Sequence, residues 1–114
     1  RGADGRLYPW GNEPLKSHRA NVAMRVGRSS PIGQFSPAGD SPYGVSDLIG
    51  NVWEWTSSWY DTRGGNKSAK VVRGGAWPSE PDSLRATYRL DIDPKLRFNT
   101  LGFRVAAHMG DPGF

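Results

Sequence analysis

Two short tryptophan-centred blocks, each carrying glycine, limit what this chain can fold into. After Gly50, the run Asn51-Val52-Trp53-Glu54-Trp55-Thr56-Ser57-Ser58-Trp59 alternates large apolar with polar side chains. A period of two is the signature of a strand buried on one face. Val71-Val72-Arg73-Gly74-Gly75-Ala76-Trp77 reads as a second strand, its paired glycines marking a bulge or a close backbone approach. Leu101 to Ala106 reads as a third. The 15 Gly and 9 Pro of the 114 residues argue for many turns and short strands rather than a helical bundle.

Elsewhere the signals are weaker. Tyr8-Pro9-Trp10-Gly11-Asn12 reads as an aromatic-anchored turn, Ala20–Val26 as a short extended segment, and Ser29–Phe35 as a short strand leaving a turn. Thr62–Ser68 is a polar loop tip. Ser83–Arg89 is expected to make a helical turn or two, within a connection of about 23 residues from Pro78 to Thr100 that is long for a loop. Long loops are disproportionately functional.

One domain fits this length, burying roughly two thirds of its unfolded surface. Five Trp, four Tyr and four Phe supply an aromatic-heavy core. There is no cysteine, hence no disulfide, thiolate nucleophile or zinc–thiolate site within the chain. Net charge is +4, from eleven scattered Arg and four Lys set against the acidic residues. No basic run alternates with exposed aromatics, so nucleic acid is not an expected partner. No apolar run approaches a membrane span and no signal peptide is visible. The compartment stays open, with a bacterial cytoplasm favoured. The start at Arg1 rather than Met suggests a fragment or a processed product.

Two kinds of site can be read from the residues. If residues 50–54 are extended, the Gly50 and Val52 carbonyls point the same way, near the Glu54 side chain, and Asp47 can turn its carboxylate into the same space. Two carboxylates and two carbonyls make an all-oxygen set suited to calcium. The alternative is that Asp47 caps a turn and Glu54 pairs with a buried Arg. Leu90, Ile92, Leu96 and Phe98 alternate along the long connection, forming an adhesive apolar patch if exposed and an anchor if buried. Arg85, Arg89 and Arg97 either line a pocket for an anion or pair with Asp82, Asp91 or Asp93. His18 and His108 read as surface histidines.

Tyr8–Gly11, the stretch from Tyr43-Gly44 to Trp55, Arg73–Trp77 and Gly102-Phe103-Arg104 resemble, in order, the phrases of the formylglycine-generating enzyme-like (sulfatase-modifying factor) superfamily. The resemblance implies an α+β, loop-rich C-type lectin-like fold with short antiparallel strands, of which 1–114 would be the C-terminal part. It also implies that the Asp47–Glu54 motif is a structural calcium site. The family's oxidation of a sulfatase cysteine uses a copper-binding cysteine pair after the Arg-Gly-Gly strand; Pro78–Leu84 has no cysteine there, and serine is no soft copper ligand. Another branch holds iron through histidines that this chain does not bring together. Neither copper nor iron chemistry is therefore expected of the isolated chain.

What the resemblance leaves is a non-catalytic, ligand-binding module, used in relatives as a sensor fused to bacterial kinases or as a variable protein of a diversity-generating retroelement. In those variable proteins, adenine-directed mutagenesis of asparagine codons diversifies the segment between the Arg-Gly-Gly and Gly-Phe-Arg strands. Here the expected face for a protein or small-molecule ligand is Trp77, Ser79, Asp82, Tyr88, Leu90, Asp91, Ile92, Asp93, Leu96, Phe98 and Asn99. The alternative is a sulfatase-modifying-type enzyme, or a fragment of one, whose active residues lie outside this chain. Its own missing N-terminal half or a fused kinase are the further partners to expect.

Overall fold

The computed structural model describes residues 2–61, 67–108 and 110, so the expected loop tip at Thr62–Ser68 lies mostly outside the described residues. A four-stranded sheet in the order β3-β2-β1-β4 frames the chain. β1 is Trp53–Trp59, β2 Lys70–Arg73, β3 Arg89–Ile92 and β4 Leu101–Gly102. β1 forms where the alternation announced it, but its burial does not alternate: Trp53–Thr56 are half-buried and Ser57–Trp59 are exposed.

β1 and β2 are antiparallel, with Glu54 opposite Arg73 and Trp55 opposite Val72. β2 and β3 are antiparallel as well, with Val72 opposite Leu90 and Lys70 opposite Ile92. β4 instead runs parallel to β1, Trp53 standing beside Leu101. The expectation of antiparallel strands alone is thus corrected at β4. Residues 93–100 carry the chain from one edge of the sheet to the other, and such a crossover, unlike a hairpin, returns a strand in the same direction. Among the described residues the helical part of the expected α+β class shrinks to one 3-10 turn, Pro81–Ser83.

Three further expectations change. β2 stops at Arg73 because Gly74 and Gly75 take φ of +95° and +74°, which ends the ladder. β4 is cut to two residues, and Phe103 and Val105 beyond it are each 75% exposed, with nothing to hold them in a sheet. Neither Ala20–Val26 nor Ser29–Phe35 is a strand. Ala23 and Met24 adopt φ of 52° and 58° and turn the chain, and Gln34 and Ser36 close turns on Pro31 and Gly33.

Residues directly opposite in a sheet share a face. Trp53, Trp55, Val72, Leu90, Ile92 and Leu101 therefore lie on one face, and Glu54, Arg73 and Arg89 on the other. A separate buried cluster of Ala20, Val22, Ile49 and Leu84 sits among the loops, flanked by Tyr8, Trp10, Leu15 and Ala23. Tyr8 and Trp10 come from the expected turn, which closes with the Tyr8 N–H donating to the Gly11 carbonyl at 2.9 Å and the rings stacked 4.9 Å apart. Trp10, also covered by the Arg19 guanidinium at 5.5 Å, is half-buried against this cluster.

Backbone hydrogen bonds tie this cluster to the sheet. The Gly50 N–H donates to Gly74 O at 2.8 Å, the Asn51 N–H to Asn21 O at 2.9 Å, and the Trp77 N–H to Asn51 O at 2.8 Å. The Ala23 N–H donates to Ser79 O and the Met24 N–H to Trp77 O, both at 3.0 Å. The Asn51 side chain accepts the Ser30 N–H at 2.9 Å. No helix of the described residues is long and apolar enough to cross a membrane.

Candidate ligand-binding site

The connection from Pro78 to Thr100 is neither one loop nor one surface. Its near end is pinned inward. Ser79 Oγ accepts the Ala76 N–H at 2.9 Å, and Leu84 is fully buried. Trp77 and Ser79, expected on the binding face, are half-buried and hold the frame through their backbone bonds to Met24, Ala23 and Asn51. Asp82 lies exposed in the 3-10 turn.

β3 then gives the segment an edge strand. Arg73 clamps the approach to it, one guanidinium nitrogen donating to the Thr87 and Tyr88 carbonyls at 2.8 and 3.2 Å. Leu90 and Ile92 are half-buried on the sheet face of Trp53 and Trp55, and Tyr88 leans on Trp53 with the rings 6.0 Å apart. Asp91 is exposed and stands opposite Val71, on the other face. After β3, Asp93 caps a turn by accepting the Lys95 N–H at 2.9 Å, and Asn99 is exposed. Leu96 and Phe98 on the crossover are 47% and 52% exposed, and Tyr88 38%. Eleven expected residues therefore divide by exposure: Tyr88, Leu96 and Phe98 are exposed and apolar, Asp82, Asp91, Asp93 and Asn99 are exposed and polar, and Trp77, Ser79, Leu90 and Ile92 are half-buried. Arg85, Arg89 and Arg97 form no ion pair with Asp82, Asp91 or Asp93; Arg89 instead lies over the Tyr60 ring at 4.8 Å.

The second expected site is centred on Glu54. Its carboxylate receives a bidentate pair from Arg104, at 2.7 Å from Nε and 2.6 Å from a terminal nitrogen. The same guanidinium donates to the Ser46 and Asp47 carbonyls, each at 3.0 Å. The Glu54 carboxylate raises the Arg104 pKa above the ordinary guanidinium value, against the desolvation that lowers it. A raised pKa keeps this contribution complete below the ordinary value, so the arginine holds its charge across any working pH. Asp47 Oδ2 accepts the Gly33 N–H at 2.6 Å. Asp47, Val52 and Glu54 line a cavity of about 200 Å³ with Ile32, Phe103 and Arg104.

The backbone here departs from the extension on which the calcium set was argued. Gly50 and Asn51 adopt φ of +79° and +65°, so the extension that was to align the Gly50 and Val52 carbonyls is absent and β1 begins only at Trp53. Glu54 faces a guanidinium, as in the carboxylate–arginine alternative, although Arg104 is exposed rather than buried. Sequence reasoning left the arginine unnamed because Glu54 and Arg104 are 50 residues apart. The closing Gly-Phe-Arg phrase was its one signal.

A family model described as "Sulfatase-modifying factor enzyme 1-like domain" matches residues 1–109. The chain belongs to this family. Two curated members and one solved structure place it further. The "Inactive C-alpha-formylglycine-generating enzyme 2" of Bos taurus is 34% identical over 97% of this chain and 40% of its own length. The "Hercynine oxygenase" of Mycobacterium tuberculosis is 35% identical over 89% of this chain and 27% of its own length. "Treponema denticola variable protein 1" superposes with a TM-score of 0.69 at 24% identity, over 87% of this chain and 40% of its own, and shows the fold. This sulfatase-modifying-factor-like chain thus spans less than half of each relative. Family membership alone decides no activity, since one of these members is named inactive and another an oxygenase.

Proposed function

We propose that this chain is a non-catalytic binding domain of C-type lectin-like topology that presents residues 78–100 to a protein or small-molecule ligand. The observation that carries the reading is the division of that segment. Its near end is locked by Leu84 and Ser79, while Tyr88, Leu96 and Phe98 stand 38%, 47% and 52% exposed beyond it. Large apolar side chains held outward on a rigid frame are what a binding hot spot needs, because little entropy is lost on docking. Two comparisons support it: a relative named inactive, and a variable protein of the same fold. Diversification of the segment by a retroelement is compatible with outward side chains there. The copper-dependent oxidation of a sulfatase cysteine would need a cysteine pair, and this chain has no cysteine.

A photo-crosslinking residue at position 96 or 98 tests the reading in the native host. A discrete adduct from either position, and none from Lys16, is the expected result; Phe98→Ala should then weaken the isolated partner by about 2 kcal/mol while leaving the melting temperature unchanged. Equal adducts from all three positions, or oxidation of a cysteine peptide by the copper-loaded protein, would defeat it.

In this reading the Arg104–Glu54 pair braces the frame, and calcium at Asp47, Gly50, Val52 and Glu54 has to displace Arg104 to bind. A chelator at matched ionic strength should leave the melting temperature where it was. A fall of several degrees would show that calcium, not the guanidinium, holds Glu54.

A further inference from the structure

A second cavity, also about 200 Å³, lies on the sheet face away from Val72, Leu90 and Ile92. Pro9, Leu48, Ile49 and Ala86 give it apolar walls, and Glu54, Arg73 and Arg85 reach it with charge. The balance of that charge is positive. Glu54 is neutralised by the bidentate pair with Arg104. Although Arg73 stands opposite Glu54 in the sheet, its described donors go to the Thr87 and Tyr88 carbonyls, which fix the guanidinium without cancelling it. The Arg85 guanidinium has neither an ion-pair nor a hydrogen-bond partner among the described residues.

The geometry points to a binding site for a small organic carboxylate, with the Arg85 fork and Arg73 taking the anion and the four apolar residues holding a short hydrocarbon body. A planar guanidinium matches a carboxylate in two parallel hydrogen bonds. The cavity is smaller than the roughly 300–1,000 Å³ of drug-sized pockets, so the ligand is a compact one. This site does not depend on Tyr88, Leu96 or Phe98 contacting anything, and either proposal can fail alone.

Ligand-observed saturation-transfer NMR on the intact protein, with benzoate as the probe at constant ionic strength, tests it. Saturable binding is expected, weakened by at least about tenfold in Arg85→Gln. Arg97→Gln, an exposed arginine outside the cavity, should bind as the parent does. Ala86→Leu narrows the cavity without touching charge and should remove binding too, which keeps the test open if the first variant is unstable. Inorganic phosphate should bind more weakly, since it gains nothing from apolar walls. The assignment is overturned if benzoate binding is absent or unaffected by Arg85→Gln. Equal weakening by Arg97→Gln would reduce the effect to diffuse surface charge, and phosphate binding as tight as benzoate would remove the carboxylate preference.

Discussion

Leu84→Ala should lower the stability of this protein by roughly 2–5 kcal/mol, the range for emptying a buried leucine site. Leu84 is 0% exposed and belongs to the cluster of Ala20, Val22 and Ile49, so two separate stretches of chain lose a common neighbour. Domains of this class are stable by only about 5–15 kcal/mol, which makes the loss a large share of the total. In thermal unfolding followed by circular dichroism, the midpoint should fall by about 10 °C or more. The consequence reaches the binding segment, because Leu84 is the plug that holds its near end. An unchanged midpoint would mean that residues 78–84 are not anchored in the core at all.

Gly50→Ala should be of similar size for a different reason. Gly50 has φ of +79°, where a side chain costs roughly 1–2 kcal/mol, and an added Cβ would run into the Asn21 carbonyl oxygen and the Val22 side chain. The collision adds about 1–3 kcal/mol of overpacking, and it falls where Gly50 and Asn51 donate to Gly74 and Asn21. Gly44→Ala is the control: φ there is +71° but nothing lies within 4 Å of the added atom, so only the conformational cost of roughly 1–2 kcal/mol remains. Chemical denaturation should rank the two variants clearly apart. Equal losses would show that the close approach at Gly50 contributes nothing.

How much of this was legible follows from the range of each signal. β1 was readable because Trp53, Trp55 and Trp59 share one parity, the alternation lapsing only at Ser57, and the Tyr8–Gly11 turn because its glycine and proline act locally. β3 was missed although Arg89-Leu90-Asp91-Ile92 also alternates; four residues ended by a turn carry too few periods to stand out. Ala20–Val26 looked extended because its residues suit a strand, but Ala23 and Met24 are held at positive φ by bonds to Ser79 and Trp77, a tertiary demand invisible to local pattern. The expected calcium ligands were inferred from an extended backbone over residues 50–54, whereas Gly50 and Asn51 take positive φ. Within the expected binding segment, pattern alone could not separate Ser79, turned inward to Ala76, from Phe98, turned out.

The claim on which the rest depends is that the frame bears the stability and the outer part of residues 78–100 is spare for binding. A library randomised at Asp82, Asp91, Asp93, Leu96, Phe98 and Asn99, scored clone by clone for protease resistance, tests it without knowing the ligand. Most clones should resist proteolysis as the parent does, while a matched library at Trp77, Ser79 and Leu84 should mostly fail. If the outer library fails as the inner one does, the exposed residues are holding the fold together and the binding face does not exist.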